Sequence, residues 1–255
     1  MPEPFYADGI FWVALAALFV SLSNPLWKLF HPAKLRVEPF KHFLVTHSVG
    51  NPQINIPIVL TNNGGHSLDI TAIAMEVSTD GLPPVSLIAQ SFFQWGRAEN
   101  SLFFSRFTLA PGMVWNYVIS FFKPLPKNEQ TQISNISKAI KDNIEKKLKE
   151  RKRTNASDNS LMEADSSLVG PAFQFFRDHS IWRVGEYSVK LSINCIPQKS
   201  SAIYSFRFIL YESDIQQISE NAAESYQYGF NLPVGYPQKN TNQPVVDLLD
   251  LQRLK

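Results

Sequence analysis

"VGEYSVKLSINC", residues 184–195, decides what kind of body this chain folds into. Tyr187, Val189, Leu191, Ile193 and Cys195 fall on one face of an extended segment, and Ser188, Lys190, Ser192 and Asn194 on the other. Side chains of a strand alternate between faces, so this period of two predicts a half-buried antiparallel strand. "IYSFRFILY", 203–211, repeats the pattern with Tyr204, Phe206, Phe208 and Leu210 inward. "IPQKSS" supplies the turn between the two.

The same pattern extends upstream. In "INIPIVLTNNGGHSLDITAIAMEV", 54–77, Ile54, Ile56, Ile58 and Leu60 share a face. Asn62, Asn63, Gly64 and Gly65 then supply a turn of residues that tolerate positive φ. The apolar parity of the second run shifts near Ala72, from Leu68 and Ile70 to Ile73, Met75 and Val77, which predicts a β-bulge. Further runs at 85–93, 102–109 and 114–122 are separated by turn signals, "APG" among them. Strands recurring without alternating helices indicate a sandwich rather than a βαβ sheet.

"LTNNGGHSLDITAI" resembles the strand B to strand C region of immunoglobulin-like sandwiches, and "GEYSVKLSINC" their strand F, with Tyr187 in the place of the tyrosine corner. The resemblance covers residues 36–212 and rests on patterns shared by many families, so it implies a fold and no ligand. Cys195 has no second cysteine to pair with, and no Trp lies within 68–77. Residues 123–182 also separate strands that the superfamily joins by a short connection.

That interruption carries the most concentrated charge. In "ISNISKAIKDNIEKKLKERKR", Ile133, Ile136, Ile140, Ile144 and Leu148 step by three or four and form one helical stripe. Lys138, Lys141, Lys146, Lys147, Lys149, Arg151, Lys152 and Arg153 stand against Asp142, Glu145 and Glu150, a net of +5, whereas the whole chain is +2. These eight cations are the candidate contact residues. Three surroundings suit them: plain water over a capping helix, anionic lipid headgroups, or a protein partner. No aromatic residues interleave with them, so nucleic acid is not expected as a partner. "TNASDNSLMEADSS", 154–167, reads as a polar loop, and "AFQFFRDHSIW", 172–182, as an aromatic cover for an open end of the sandwich.

At the start of the chain, "IFWVALAALFVSLSNPLW", 10–27, lies within nineteen uncharged residues. As a helix these rise about 28 Å, close to a hydrocarbon thickness of about 30 Å, which predicts a transmembrane anchor. A cleaved leader fits less well because no Lys or Arg precedes the segment. Lys28, Lys34, Arg36 and Lys41 follow it, which places the N-terminus outside and the body in the cytoplasm. The resulting division is a tail and anchor at 1–30, a sandwich at 35–212, and a C-terminal tail with short helices at 213–255.

Composition and motifs recommend no chemistry. The hydrophobic fraction of 44% supports a sizeable core, and one cysteine excludes a disulfide scaffold. His31, His42, His47, His66 and His179 show no close metal-ligand spacing and read as surface or edge histidines. "NNGGH" lacks the Lys-Ser/Thr of a phosphate loop. Cys195 on an apolar face reads as an inert thiol. No cofactor, metal or catalytic residue is expected. The expectation is a non-enzymatic, single-pass membrane protein whose sandwich is an interaction module or accessory subunit of a membrane assembly, with lipid and protein partners. The alternative is a ligand sensor or enzyme using a cavity of the sandwich.

Overall fold

The computed structural model describes residues 9–48, 50–94, 101–153, 162–229 and 244–254. The fold is mainly β: 41% of the described residues are strand and 37% helix. Among the described residues twelve strands form it: β1 (Leu35–Pro39), β2 (His42–Ser48), β3 (Asn51–Asn62), β4 (Leu68–Thr79), β5 (Val85–Phe93), β6 (Leu102–Phe103), β7 (Phe107–Leu109), β8 (Val114–Phe122), β9 (Gly185–Ile196), β10 (Ala202–Leu210), β11 (Val245–Asp247) and β12 (Leu249–Leu254). Four α-helices accompany them among the described residues: α1 (Gly9–Phe30), α2 (Lys127–Arg153), α3 (Ser166–His179) and α4 (Glu212–Gln227).

β9 alternates as its sequence dictates: Tyr187, Val189, Leu191, Ile193 and Cys195 are buried, and their neighbours are exposed or half-exposed. β4 pairs with β9 through a register shift between Ile70 and Ala72, where the apolar parity changes. An extra residue there lets Leu68 and Ile70 on one side of the shift, and Ile73, Met75 and Val77 on the other, all reach the core.

The strands do not divide into two sheets, which corrects the immunoglobulin-like sandwich. They form one sheet in the order β11-β2-β3-β8-β5-β4-β9-β10-β12, with β1 on β3, β6 on β5 and β7 on β4. The reason lies in β5, which pairs with β8 from Ile88↔Phe122 to Phe93↔Val118 and with β4 from Ala74↔Ile88 to Val77↔Val85. A strand hydrogen-bonded on both sides cannot end a sheet, so the sheet continues and curls into a half-barrel. The curl brings β2 against β10: the Phe43 ring lies 5.2 Å from that of Phe208 and 5.9 Å from that of Phe206, both edge-on. The enclosed core includes Ile54, Ile56, Ile58, Leu60, Leu191 and Phe208, each fully buried.

α2 and α3 connect β8 to β9. Ile140 and Ile144 of α2 are buried, and Ile133, Ile136 and Leu148 pack beside them. α3 and α4 cover the β2 end of the sheet: Phe175, Phe176, Ile218, Ala222 and Tyr226 are buried, and Trp182 Nε1 donates to the Thr46 carbonyl at 2.6 Å. The Tyr187 hydroxyl accepts from the Arg183 N–H at 2.7 Å and lies 3.0 Å from the Arg183 carbonyl and 3.1 Å from that of Ile181, pinning the entry to β9.

Asn62, expected in a turn, is fully buried. Its Nδ2 donates to the carbonyls of His66 (2.8 Å) and Leu109 (2.9 Å), and its Oδ1 accepts from the Gly64 N–H (3.0 Å). It ties together two loops at one end of the sheet. Gly64 is required there by close approach rather than by positive φ: a Cβ would lie 2.2 Å from the Pro32 carbonyl oxygen.

The N-terminal segment is helical, but the anchor is not supported. Among the described residues no helix is long and apolar enough to cross a membrane. The nineteen uncharged residues include Ser21, Ser23 and Asn24, so the continuous apolar run is only Ile10–Val20. Those eleven residues rise about 17 Å as a helix, little more than half of a hydrocarbon core. The single-pass membrane localisation and the outward N-terminus expected at 1–30 lose their basis with it.

The last residues are not an appendage with helices alone. α4 contributes to the core, and residues 245–254 are strands on both ends of the sheet. Of the polar loop and the C-terminal tail, residues 154–161 and 230–243 lie outside the described residues.

Candidate interaction surfaces

The apolar stripe of α2 turns its cations outward. Lys138, Lys141, Lys146, Lys149, Lys152 and Arg153 are exposed, and Arg151 is half-buried. Lys147 is drawn out of the set: its ammonium lies 2.6 Å from the Asp165 carboxylate and donates to the Glu163 carbonyl at 2.7 Å. The Lys147 hydrogen bond, with a second from Asn143, holds the Asp165 carboxyl below its ordinary range. Lys147 therefore fastens α2 to the start of α3. Asp142, Glu145 and Glu150 share a shallow groove with Lys146, Lys149 and Arg153, so the outward face is mixed in sign with a cationic excess.

A second surface went unrecognised as such in the sequence because it was read as a span. No described residue of α1 joins the core, and α1 makes no extensive contact with another element among the described residues. Ile10, Val13, Phe19 and Val20 are each at least two-thirds exposed, and Trp12, Leu18 and Leu22 are also exposed. Such a helix leaves a large apolar surface in water, whereas single exposed apolar residues are ordinary. The signal in the sequence was the lack of any polar face between Ile10 and Val20.

The chemically capable side chains are used structurally. His47 is not a surface histidine. Its ring packs on Phe176 at 4.6 Å and Tyr226 at 6.3 Å, and its Nδ1 accepts from the Gly50 N–H at 3.2 Å. Burial pushes its pKa down to about 4, with a hydrogen bond to the Ile218 backbone opposing the shift. Gly50 has φ of 83°, and a Cβ there would meet the Phe176 Cα at 2.7 Å, so α3 sits directly on this turn. His42 faces outward beside Asp247 at 2.6 Å. His179 stacks on Phe175 and lies 3.5 Å from the Glu129 carboxylate. The Cys195 thiol is buried, and desolvation pushes its pKa up to about 11, which suppresses the thiolate. Among the described residues no group of three His, Cys, Asp or Glu is placed to hold a metal ion.

No family model, no curated protein and no solved structure matches the chain. The curled sheet by itself names no immunoglobulin-like superfamily. A functional reading therefore rests on the surfaces alone.

Proposed function

We propose that the chain is a non-enzymatic interaction module, an accessory subunit that grips a protein partner with α1 and meets acidic groups of that partner with the outward face of α2. One observation carries the reading: on α1 the side chains of Ile10, Val13, Phe19 and Val20 are each at least two-thirds exposed, and no described residue of the helix belongs to the core. Helices in proteins are stabilised mainly by packing an apolar face. Burying a large apolar side chain is worth about 1.5–3 kcal/mol, so four of α1's would supply roughly 6–12 kcal/mol before the cost of association. Helix-in-groove recognition uses that kind of anchor set. The cations of α2 add steering, which raises the rate of encounter and weakens with salt.

Native-size measurement on the chain in its own cells tests this reading. The wild-type chain should run within a larger complex. Phe19→Lys combined with Val20→Lys should release it as a folded monomer, since neither residue belongs to the core. A wild-type chain that runs as a monomer removes the reading.

A further inference from the structure

β2 and β10 are the last strands of the curl before its C-terminal residues are added, and both of their outer edges are filled by one segment. β11 pairs with β2 through Val245↔Leu44, Val246↔Phe43 and Asp247↔His42. β12 pairs with β10 through Leu249↔Arg207, Gln252↔Ser205, Arg253↔Tyr204 and Leu254↔Ile203. Leu248 alone separates the two strands, and its N–H donates to the Lys41 carbonyl at 2.7 Å. Residues 244–254 are thus a strap across the seam at which the half-barrel would otherwise be open.

The strap is held less firmly than the strands it joins. β9 and β10 share nine consecutive pairs, whereas β11 has three and β12 is interrupted by a register shift between Ser205 and Arg207. Val246 is buried and packs into the core, and Leu248 packs beside it. Val245 and Leu249 are exposed, and the Asp247–His42 pair is mostly in solvent. Elements with few buried contacts open first. Lifting this one leaves two unpaired edges, the usual template for strand addition.

We propose that the seam between β2 and β10 is a strand-binding site, filled within one chain by its own residues 244–254 and filled in a dimer by the same residues of a second copy. The complementarity is already built: Val246 opposite Phe43, Asp247 beside His42, and Arg253 over the Tyr204 ring at 5.9 Å. Fourteen residues, 230–243, lie between Gly229 and Pro244 in the sequence, a contour of at most about 50 Å. Exchange is reciprocal, closes on two-fold symmetry and reuses contacts that the single chain makes. The inference is independent of α1.

A labelled peptide of the strap sequence, PVVDLLDLQRL, tests it on the full chain. Leu44→Cys with Val245→Cys provides the control. Leu44 and Val245 face each other next to the Val45 N–H···Pro244 carbonyl bond of 3.3 Å, which makes theirs the closer, non-hydrogen-bonded type of pair. The peptide should bind the wild-type chain and a Val246→Asp peptide should not. The oxidised double-cysteine chain should bind at least tenfold less, and reduction should restore binding. On concentration, light scattering should show dimers of the wild type and none of the oxidised variant. Absence of peptide binding to the wild type, equal binding by the oxidised variant, or a wild type that binds peptide but stays monomeric at millimolar concentration would each overturn the proposal.

Discussion

His47 gives this protein a calculable loss of stability in mild acid. The unfolded chain titrates this imidazole near its ordinary 6.5, and the folded chain near 4 because burial disfavours the cation. Between those values the unfolded state binds more protons than the folded state, so stability rises with pH through the window and falls as pH is lowered through it. The contribution is fully present above about pH 6.5 and exhausted below about pH 4. Two and a half pH units correspond to about 3 kcal/mol, of which about 2.5 kcal/mol is gone at pH 4.5. With a urea slope of about 2–3 kcal/mol per molar, the midpoint should fall by about 1 M between pH 7.5 and 4.5 on account of this residue. Carboxylates titrate in part of the same range, so the comparison is with His47→Gln. That variant starts from a lower midpoint at pH 7.5, having lost packing on Phe176 and Tyr226, but should show a pH dependence shallower by about 1 M. Equal slopes for wild type and variant would refute the assignment of His47 as a half-buried neutral base beneath α3 and α4.

Other outcomes follow from the same structure. Asn62→Ala removes donors from the His66 and Leu109 carbonyls and should cost about 2–4 kcal/mol in urea denaturation, with the slope unchanged. Leu191→Asp places an unpaired charge at a fully buried position and should abolish the cooperative transition at pH 7. A chain beginning at His31 lacks α1 but keeps every core residue from Ala33 onward, and its far-ultraviolet circular dichroism should show an intact β-sheet with the same melting temperature as the full chain. Replacing Lys138, Lys141, Lys149 and Lys152 by Gln should change stability by less than about 1 kcal/mol, because these side chains are exposed.

What sequence pattern reveals here is local. The alternation of Tyr187 to Cys195, the parity shift at Ala72 and the isoleucine stripe of α2 each arise from a periodicity within one element, and each occupies the residues its pattern marks. Sheet membership is different in kind. Whether β5 ends one sheet or bridges two depends on pairing with strands far along the chain, and nothing in residues 85–93 records it. Residues 246–254 carry Leu248, Leu249 and Leu251 at spacings that suit a helix as well as a strand, and only the open edges of β2 and β10 make them strands. His47 looks like an edge histidine because the helices that bury it come from residues more than a hundred positions away. For α1, a count of uncharged residues gave Ser21, Ser23 and Asn24 the weight of leucines. The cations of α2 were legible as a cluster, but the diversion of Lys147 to Asp165 required the fold.

The proposed function depends on a protein covering α1. The most direct measurement replaces Phe19 with a photoreactive phenylalanine analogue in the full chain and irradiates it in its own cells. Phe19 is two-thirds exposed and belongs to no core, so the substitution leaves the body intact. A protein-covered α1 should give a single adduct of defined mass with one protein, absent when Val20 and Val13 are also changed to Lys. The same analogue at exposed Gln216 on α4 should give no such adduct. Adducts with lipid alone, or no adduct beyond that seen from position 216, would contradict it.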